Sequence, residues 1–439
     1  MFFEGINIEE EPFLFDKIGR VIIKDDKVYR IIIDPKHIQI YKELLNSSEI
    51  NDIFSKGLVE TKIHSEDIEK SILILEHKRL NFILHPCEYT NQMFWEAANM
   101  YINLCKELYN KYGLLTVDSH PWNVTFDGVN PVFYDFSSLY KGESISQSWI
   151  NEFEKYFAIP IRLASFSKKT YSLALEYRRE HLNGFGLVLL NKKLIKKVFN
   201  KRFGSISKYR KEPNKVFDEI LIWLNNNKPI QAKNEYWSNY EQSHSAEIEK
   251  PKTIKQKFVH KILSENQPKT VLDLASNNGY YAIMANKLGA SVIAFDYEEE
   301  TINKCRKQTT LFNSNVTPAI MNFNTPTPPY GIGLMGKSAF ERFNCDVVFA
   351  LGLIHHICLR QQIPVYLFCE ICLNYSNKGI ILEFVDPTDV HVANWNIPIP
   401  KDYNLESVTA YFKVKFPNVI ASEKILLDGI NREILFFHK

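Results

Sequence analysis

The chain has 439 residues, a length that suits two or three domains, and its 45% hydrophobic and 24% charged residues exclude a disordered or fibrous protein. A formal net charge of +2 excludes bulk attraction to nucleic acid or to an anionic membrane surface. Seven scattered cysteines exclude a regular disulfide framework and point to a reducing, cytoplasmic setting.

The N-terminus, MFFEGINIEEEP, is acidic and lacks the basic-then-apolar pattern of a signal peptide. In the first half the clearest chemical pattern is Asp118-Ser119-His120-Pro121-Trp122-Asn123, with Asp135 twelve residues after Asn123 and Asp127-Gly128 turning the hairpin between them. A phosphotransferase needs a carboxylate beside the acceptor hydroxyl, then an amide and a second carboxylate to hold magnesium on the phosphates. The spacing resembles the catalytic loop and metal-binding strand of aminoglycoside-kinase-like proteins. That resemblance implies Asp118 as base, with Asn123 and Asp135 as ligands. The upstream requirements are missing: no glycine-rich phosphate loop precedes residue 30, no lysine strand of the V-A-I-K type follows, and Thr116 stands in place of the family's histidine. We therefore read residues 1–228 as a degenerate, α+β kinase-like domain that recognises substrate through Asp118, Asn123 and Asp135, with no resident metal.

Residues 191–215 carry ten Lys or Arg and one Glu. Such a stretch either forms a solvated helix face or holds a phosphate, and without an RNA-binding motif tRNA or rRNA is not expected as a partner. Residues 229–252 are polar and bracketed by prolines, the composition of a linker. Within it Trp237 and Tyr240 either pin the linker or close over a cationic ligand by cation–π contact.

From 253 to 439 strand and helix patterns alternate. TVLDLA (270–275), SVIAFD (291–296), VTPAIM (316–321), CDVVFAL (345–351) and GIILEFV (379–385) predict a parallel sheet with covered faces. Asp428-Gly429, between apolar runs, predicts a C-terminal hairpin. Cys369 and Cys372 form a CxxC inside an apolar helical stretch with no second ligand pair, so core packing is expected. The longest apolar stretch, Val347–Leu359, contains two histidines and is too short to span a bilayer.

A nucleoside cofactor binds such a sheet outside the carboxyl ends of its strands, where backbone must approach closely and a carboxylate must meet the ribose. Asp273, Ala275, Ser276, Asn277 and Gly279 form the first loop, and Asp296 closes the second strand 23 residues after Asp273. The G-x-G-x-x-G of NAD folds is absent. This stretch resembles the class I methyltransferases that use S-adenosylmethionine (SAM), whose Rossmann-like sheet has seven strands and a C-terminal hairpin. The resemblance implies that Asp273 and Gly279 belong to the first SAM motif and that Asp296 binds the ribose. It also places Asn322 by the adenine amino group and the loop at Leu351 opposite the sulfonium. His355 and His356 follow that loop, either as catalytic bases for an alcohol or as pocket lining. Glu383, Asp386 and Asp389 either reach the pocket mouth or lie on the surface.

Taken whole, the chain resembles a bacterial family that includes the nodulation protein NoeA. The resemblance rests on VYRIIIDPKHIQIYKELLNSS, ILEHKRLNFILHPCEYT, HPWN, PVFYDF, WSNY (237–240), LIHHICLRQQIP and LEFVDPTD. It implies a SAM-dependent transferase acting on a small molecule, a sugar or a modified natural product. A narrower resemblance, to the enzymes of microcin C maturation, implies transfer of the 3-amino-3-carboxypropyl arm of SAM to a peptidyl-nucleotide phosphate during antibiotic biosynthesis. It leaves room for a partner maturation enzyme. A bifunctional kinase and methyltransferase is the third reading. No membrane partner is expected.

Overall fold

The structure, a computed structural model, describes residues 9–10, 18–180, 205–230, 250–426 and 428–439. Contacts divide the chain into two units: Met1–Ala232 with Tyr330–Gly336, and Lys233–Pro329 with Lys337–Lys439. The first boundary falls inside the expected linker. The short excursion Tyr330–Gly336, expected within the C-terminal domain, groups with the first unit, where the Tyr330 ring lies 5.8 Å from His85 and 6.0 Å from Trp122.

The first unit opens with an antiparallel sheet of β1 (Glu9–Glu10), β2 (Gly19–Lys24), β3 (Lys27–Ile32), β4 (Thr61–Asp67) and β5 (Ile72–His77), in the order β1-β2-β3-β5-β4. Asp25 and Asp26 turn the β2–β3 hairpin with left-handed φ of 50° and 64°, the conformation that two-residue hairpins require. The long helix Asn91–Tyr112 starts where Thr90 accepts a hydrogen bond from the Met93 N–H and stops at left-handed Gly113. Its buried face, including Phe94, Ala97, Ala98, Tyr101, Cys105 and Leu108, recurs at three- and four-residue spacing. Then come β6 (Leu114–Thr116), paired with β9 (Leu139–Lys141), and the hairpin of β7 (Val124–Asp127) and β8 (Asn130–Phe133), turned at Gly128. This is the α+β arrangement that the sequence suggests.

The second unit is built on β10 (Thr270–Leu274), β11 (Ser291–Asp296), β12 (Val316–Ile320), β13 (Cys345–Ala350), β14 (Ser376–Val385), β15 (Asn418–Ala421) and β16 (Arg432–His438). Their order is β12-β11-β10-β13-β14-β16-β15; the first five are parallel, and β16 runs antiparallel to both β14 and β15. The parallel strands read as apolar runs because both faces are covered. Val259 and Ile262 of helix Ile254–Asn266 and Ile283 of helix Tyr280–Lys287 pack with Val271, Val292, Val347, Ile381 and Phe436 of the sheet.

Asp428 and Gly429 do form a left-handed turn, with φ of 51° and 80°. The ladder, however, uses Asn418–Ala421 rather than the apolar run just before the turn, and Ile425–Arg432 is an isolated bridge. The Ser422 hydroxyl accepts the Ile434 N–H and ends the ladder there. Cys369 and Cys372 are buried in helix Val365–Tyr375, where burial raises both thiol pKa values and keeps the thiols protonated. Among the described residues no helix is long and apolar enough to cross a membrane.

Candidate active site at the carboxyl ends of the strands

In the loop after β10, three residues take left-handed φ: Ala275 at 56°, Asn277 at 51° and Gly279 at 82°. The backbone therefore makes the turn of a glycine-rich loop although only one of the three positions is glycine. Asn pays little for this conformation and Ala about 1 to 2 kcal/mol. Gly279 has no substitute: a Cβ there would collide with Cys305 Sγ. The loop is tied across to β11, because the Ser276 N–H donates to the Phe295 carbonyl at 2.7 Å and the Asn277 N–H to Asp296 Oδ2 at 3.1 Å.

Asp296 is buried and also accepts the Glu298 N–H at 3.0 Å. Burial raises its pKa, and the backbone N–H groups of Glu298 and Asn277 pull it back. The Thr301 hydroxyl and the Tyr297 backbone donate to Asp296 as well, so with about four acceptor positions on a carboxylate a ribose hydroxyl would share or displace one of these donors. Two buried atoms beside this carboxylate, Ser276 Oγ and Glu298 Oε2, have no partner among the described residues. Buried polar atoms are normally satisfied, and such orphans suit a polar ligand. Asn322 follows β12 and is exposed, with its Oδ1 accepting from the Asn324 N–H at 2.9 Å.

Asp273 is buried under the loop, and its pKa is pushed up to about 7 by burial, partly opposed by Lys255. Leu351 is buried, and left-handed Gly352 brings the backbone after β13 beside Glu383 of β14. Glu383 and Asp389 are among the most buried charges in the unit, not surface carboxylates. Glu383 accepts from Lys255 Nζ at 2.5 Å and from Arg432 Nη1 at 3.3 Å, while Arg432 Nε donates to Asp389 Oδ2 at 2.9 Å. Burial opposes ionisation of Glu383, yet these cations hold its pKa below the usual value. Asp386 is different: it is a turn residue whose Oδ1 accepts from the Thr388 N–H and hydroxyl.

His355 and His356 open a π-helical turn, His355–Arg360, with ring centroids 4.0 Å apart and Trp395 within 5.7 and 5.5 Å. Burial depresses His355 to about 2 and His356 to about 4, helped by neighbouring Arg432. Both rings are therefore neutral at physiological pH and are weak bases, poorly matched to deprotonating an alcohol. Sequence reasoning missed Lys255, Arg432 and Trp395, which carry no motif; the one trace is Arg432 opening an apolar strand.

In the first unit the structure brings Asp118, Asn123 and Asp135 together. Asn123 Nδ2 donates to Asp118 Oδ1 at 2.5 Å, and burial raises the pKa of Asp118, with Asp135 and Glu152 adding to the rise. Ser137 Oγ donates to Asp135 Oδ1 at 2.6 Å. Thr116 is buried, joined to Tyr101 and Trp149 by hydrogen bonds of 2.7 and 2.9 Å. The buried charged position on β3 is Arg30, not lysine, and residues 11–18, EPFLFDKI, hold no glycine. Among the described residues no three His, Cys, Asp or Glu side chains cluster as a metal site. Trp237, Tyr240 and the basic stretch up to residue 204 lie outside the described residues. Of the remainder, Lys208 and Lys215 sit over the Tyr209 ring at 4.7 and 3.9 Å.

The reversed β16 inserted beside β14, the left-handed loop after β10 and the carboxylate ending β11 define a class I methyltransferase-like protein. Over its full length the chain is NoeA-like: it is 24% identical over 463 residues to the nodulation protein NoeA of Rhizobium meliloti (strain 1021), across 97% of this chain and 94% of that one. No family model matches. Among solved structures it is similar to EvdMO1 (12% identity, 42% of this chain and 40% of that one, TM-score 0.31). It is similar also to the bifunctional kinase-methyltransferase WbdD (14%, 44% and 41%, 0.31). A third is the magnesium protoporphyrin IX methyltransferase of Synechocystis PCC 6803 with bound SAM (12%, 48% and 87%, 0.29). The chain spans well under half the length of EvdMO1 and of WbdD.

Proposed function

We propose that this protein is a SAM-dependent group transferase whose active site lies at the carboxyl ends of β10, β11, β13 and β14. The observation that carries this reading is the loop after β10 clamped onto Asp296, with partnerless Ser276 Oγ and Glu298 Oε2 beside it. The residues fit the cofactor: Asp296 is a buried carboxylate closing β11 beside the β10 loop, and Gly279 and Gly352 let backbone come close. SAM would supply an electrophilic carbon on a sulfonium. The chain would hold it, exclude water with buried Leu351 and the neutral His355–His356–Trp395 stack, and place the acceptor. The acceptor class we favour is a small molecule or sugar that receives a methyl group.

A second reading is favoured by one specific observation. The low proton affinity of His355 and His356 suits an acceptor oxygen that is already anionic, such as a phosphate, which needs no base. It is compatible with transfer of the aminocarboxypropyl arm to a peptidyl-nucleotide. The first unit we propose as a recognition platform. It keeps Asp118, Asn123 and Asp135 together, while Arg30 and the glycine-free stretch 11–18 speak against phosphoryl transfer.

Mass spectrometry of products formed with SAM and candidate acceptors, a peptidyl-nucleotide included, separates the two. A gain of one methyl with S-adenosylhomocysteine is the expected result. A gain of the aminocarboxypropyl group with methylthioadenosine would establish the second reading, and SAM left intact with every acceptor would count against both.

A further inference from the structure

The turn His355–Arg360 buries every residue but two: His356 is half-buried, and Arg360, its last residue, is exposed. The Arg360 guanidinium lies over the ring of half-buried Trp395, with its carbon 5.9 Å from the ring centroid. The same indole rests against both imidazoles, 5.7 Å from His355 at an interplanar angle of 24° and 5.5 Å from His356 at 36°. One side chain of the segment after β14 is thus packed by three residues of one turn. The segments on either side are tied to that turn. Gln361 Oε1 accepts from Asn324 Nδ2 of the loop after β12, and Gln362 Nε2 donates to the Pro398 carbonyl of the segment after β14.

Stacking decides what the guanidinium offers. An arginine on an indole face carries a weakly hydrated charge and presents its planar fork of N–H donors edge-on, away from the ring. Such a fork matches two oxygens of a carboxylate or of a phosphate. The charge around it favours the phosphate. Arg360 and Arg432 both depress the proton affinity of His356, and among the described residues no carboxylate opposes them there. A field set by two guanidinium groups holds a dianion better than a monoanion. Unlike the buried carboxylates of β14 and its following turn, Arg360 and the edge of Trp395 are open to a ligand from solvent.

We propose that Arg360, backed by Trp395, selects the acceptor, and that the group it binds is a phosphate carried by that acceptor. The inference deepens the second reading above and rests on the SAM reading for the place of transfer. Arg360 fixes the phosphate at the mouth of the pocket that the imidazole pair walls, and Trp395 sets the plane of the guanidinium. A neutral alcohol gains nothing from this contact, so the residue discriminates by charge.

The test uses inorganic phosphate as the probe, followed by phosphorus NMR on the full chain at about pH 8, where phosphate is mostly a dianion. S-adenosylhomocysteine binding is measured beside it by calorimetry. Wild type should bind phosphate saturably and about 10-fold or more tightly than acetate. Arg360→Gln should weaken phosphate by about 10- to 100-fold, the range of one charged hydrogen bond, with S-adenosylhomocysteine unchanged within about twofold. Arg360→Lys should recover part of the loss, since it keeps the charge without the fork. Retained S-adenosylhomocysteine binding shows that each variant is folded. Should Arg360→Gln not fold, wild type still decides, because acetate binding as tightly as phosphate overturns the assignment. Phosphate bound equally by wild type and Arg360→Gln, or equal loss of phosphate and S-adenosylhomocysteine, also overturns it. Wild type that binds S-adenosylhomocysteine but no phosphate overturns this inference alone. Wild type that does not bind S-adenosylhomocysteine removes the SAM reading, and the acceptor role of Arg360 with it.

Discussion

Arg432→Met is expected to destabilise the second unit by about 3 to 5 kcal/mol, the cost of breaking a buried ion pair from one side. Arg432 bridges two carboxylates that have almost no contact with solvent: Nε and Nη2 reach Asp389 at 2.9 and 3.4 Å, and Nη1 reaches Glu383 at 3.3 Å. Its pKa is raised through the hydrogen bond to Asp389 and the charges of both partners, outweighing burial, so it is charged at any working pH. In the variant Glu383 keeps Lys255, but Asp389 is left with backbone donors only, those of His391 and Asn431. Arg432→Lys should fall between, since one ammonium cannot reproduce the forked contact. Chemical denaturation of the full chain measures this. A change within about 0.5 kcal/mol, the ordinary surface value, would show that the network carries no stability.

The second large effect is a pH dependence set by Asp273. Folding buries its carboxyl and raises the pKa from 3.8 to about 7, with Lys255 opposing and Asp296 reinforcing the rise. The folded protein therefore holds a proton that the unfolded chain releases near pH 4. Stability from this group is present in full below pH 3.8 and is lost as pH rises through about 7. At about 1.4 kcal/mol per pKa unit, the loss amounts to roughly 4 kcal/mol. Other groups titrate over the same range, so the informative quantity is the difference between wild type and Asp273→Asn. The asparagine cannot ionise, and its advantage should grow from pH 4 to pH 8 and then level off. A difference independent of pH would mean that Asp273 is ionised throughout in the folded protein.

Much of this unit can be read in the sequence, for physical reasons. The five parallel strands are short apolar runs bounded by turn residues, because both faces of such a sheet are covered. Asp296 is found from its place at a strand end, and Gly279 from the turn before a helix. The hairpin was legible at its turn, Asp428-Gly429, but not in its ladder, which pairs β16 with Asn418–Ala421 rather than with the apolar run beside the turn. Lys255, Glu383 and Arg432 are linked across 128 and 49 positions in sequence, so no local pattern announces them. The histidines show the limit from the other side. Two adjacent imidazoles after a strand suggest a base, yet burial beside Arg432 removes the proton affinity that a base needs. In the first unit the triad of Asp118, Asn123 and Asp135 follows from spacing, whereas buried Arg30 on β3 follows only from the fold.

The central claim is that the carboxylate ending β11 holds the ribose of SAM. Calorimetric titration of SAM into the wild-type chain and Asp296→Ala tests it most directly. Wild type should bind, and the variant should be weaker by about 1 to 3 kcal/mol, or roughly 5- to 150-fold, with its fold verified by circular dichroism. A folded variant that binds SAM as tightly as wild type, or a wild type that does not bind SAM at all, would contradict it.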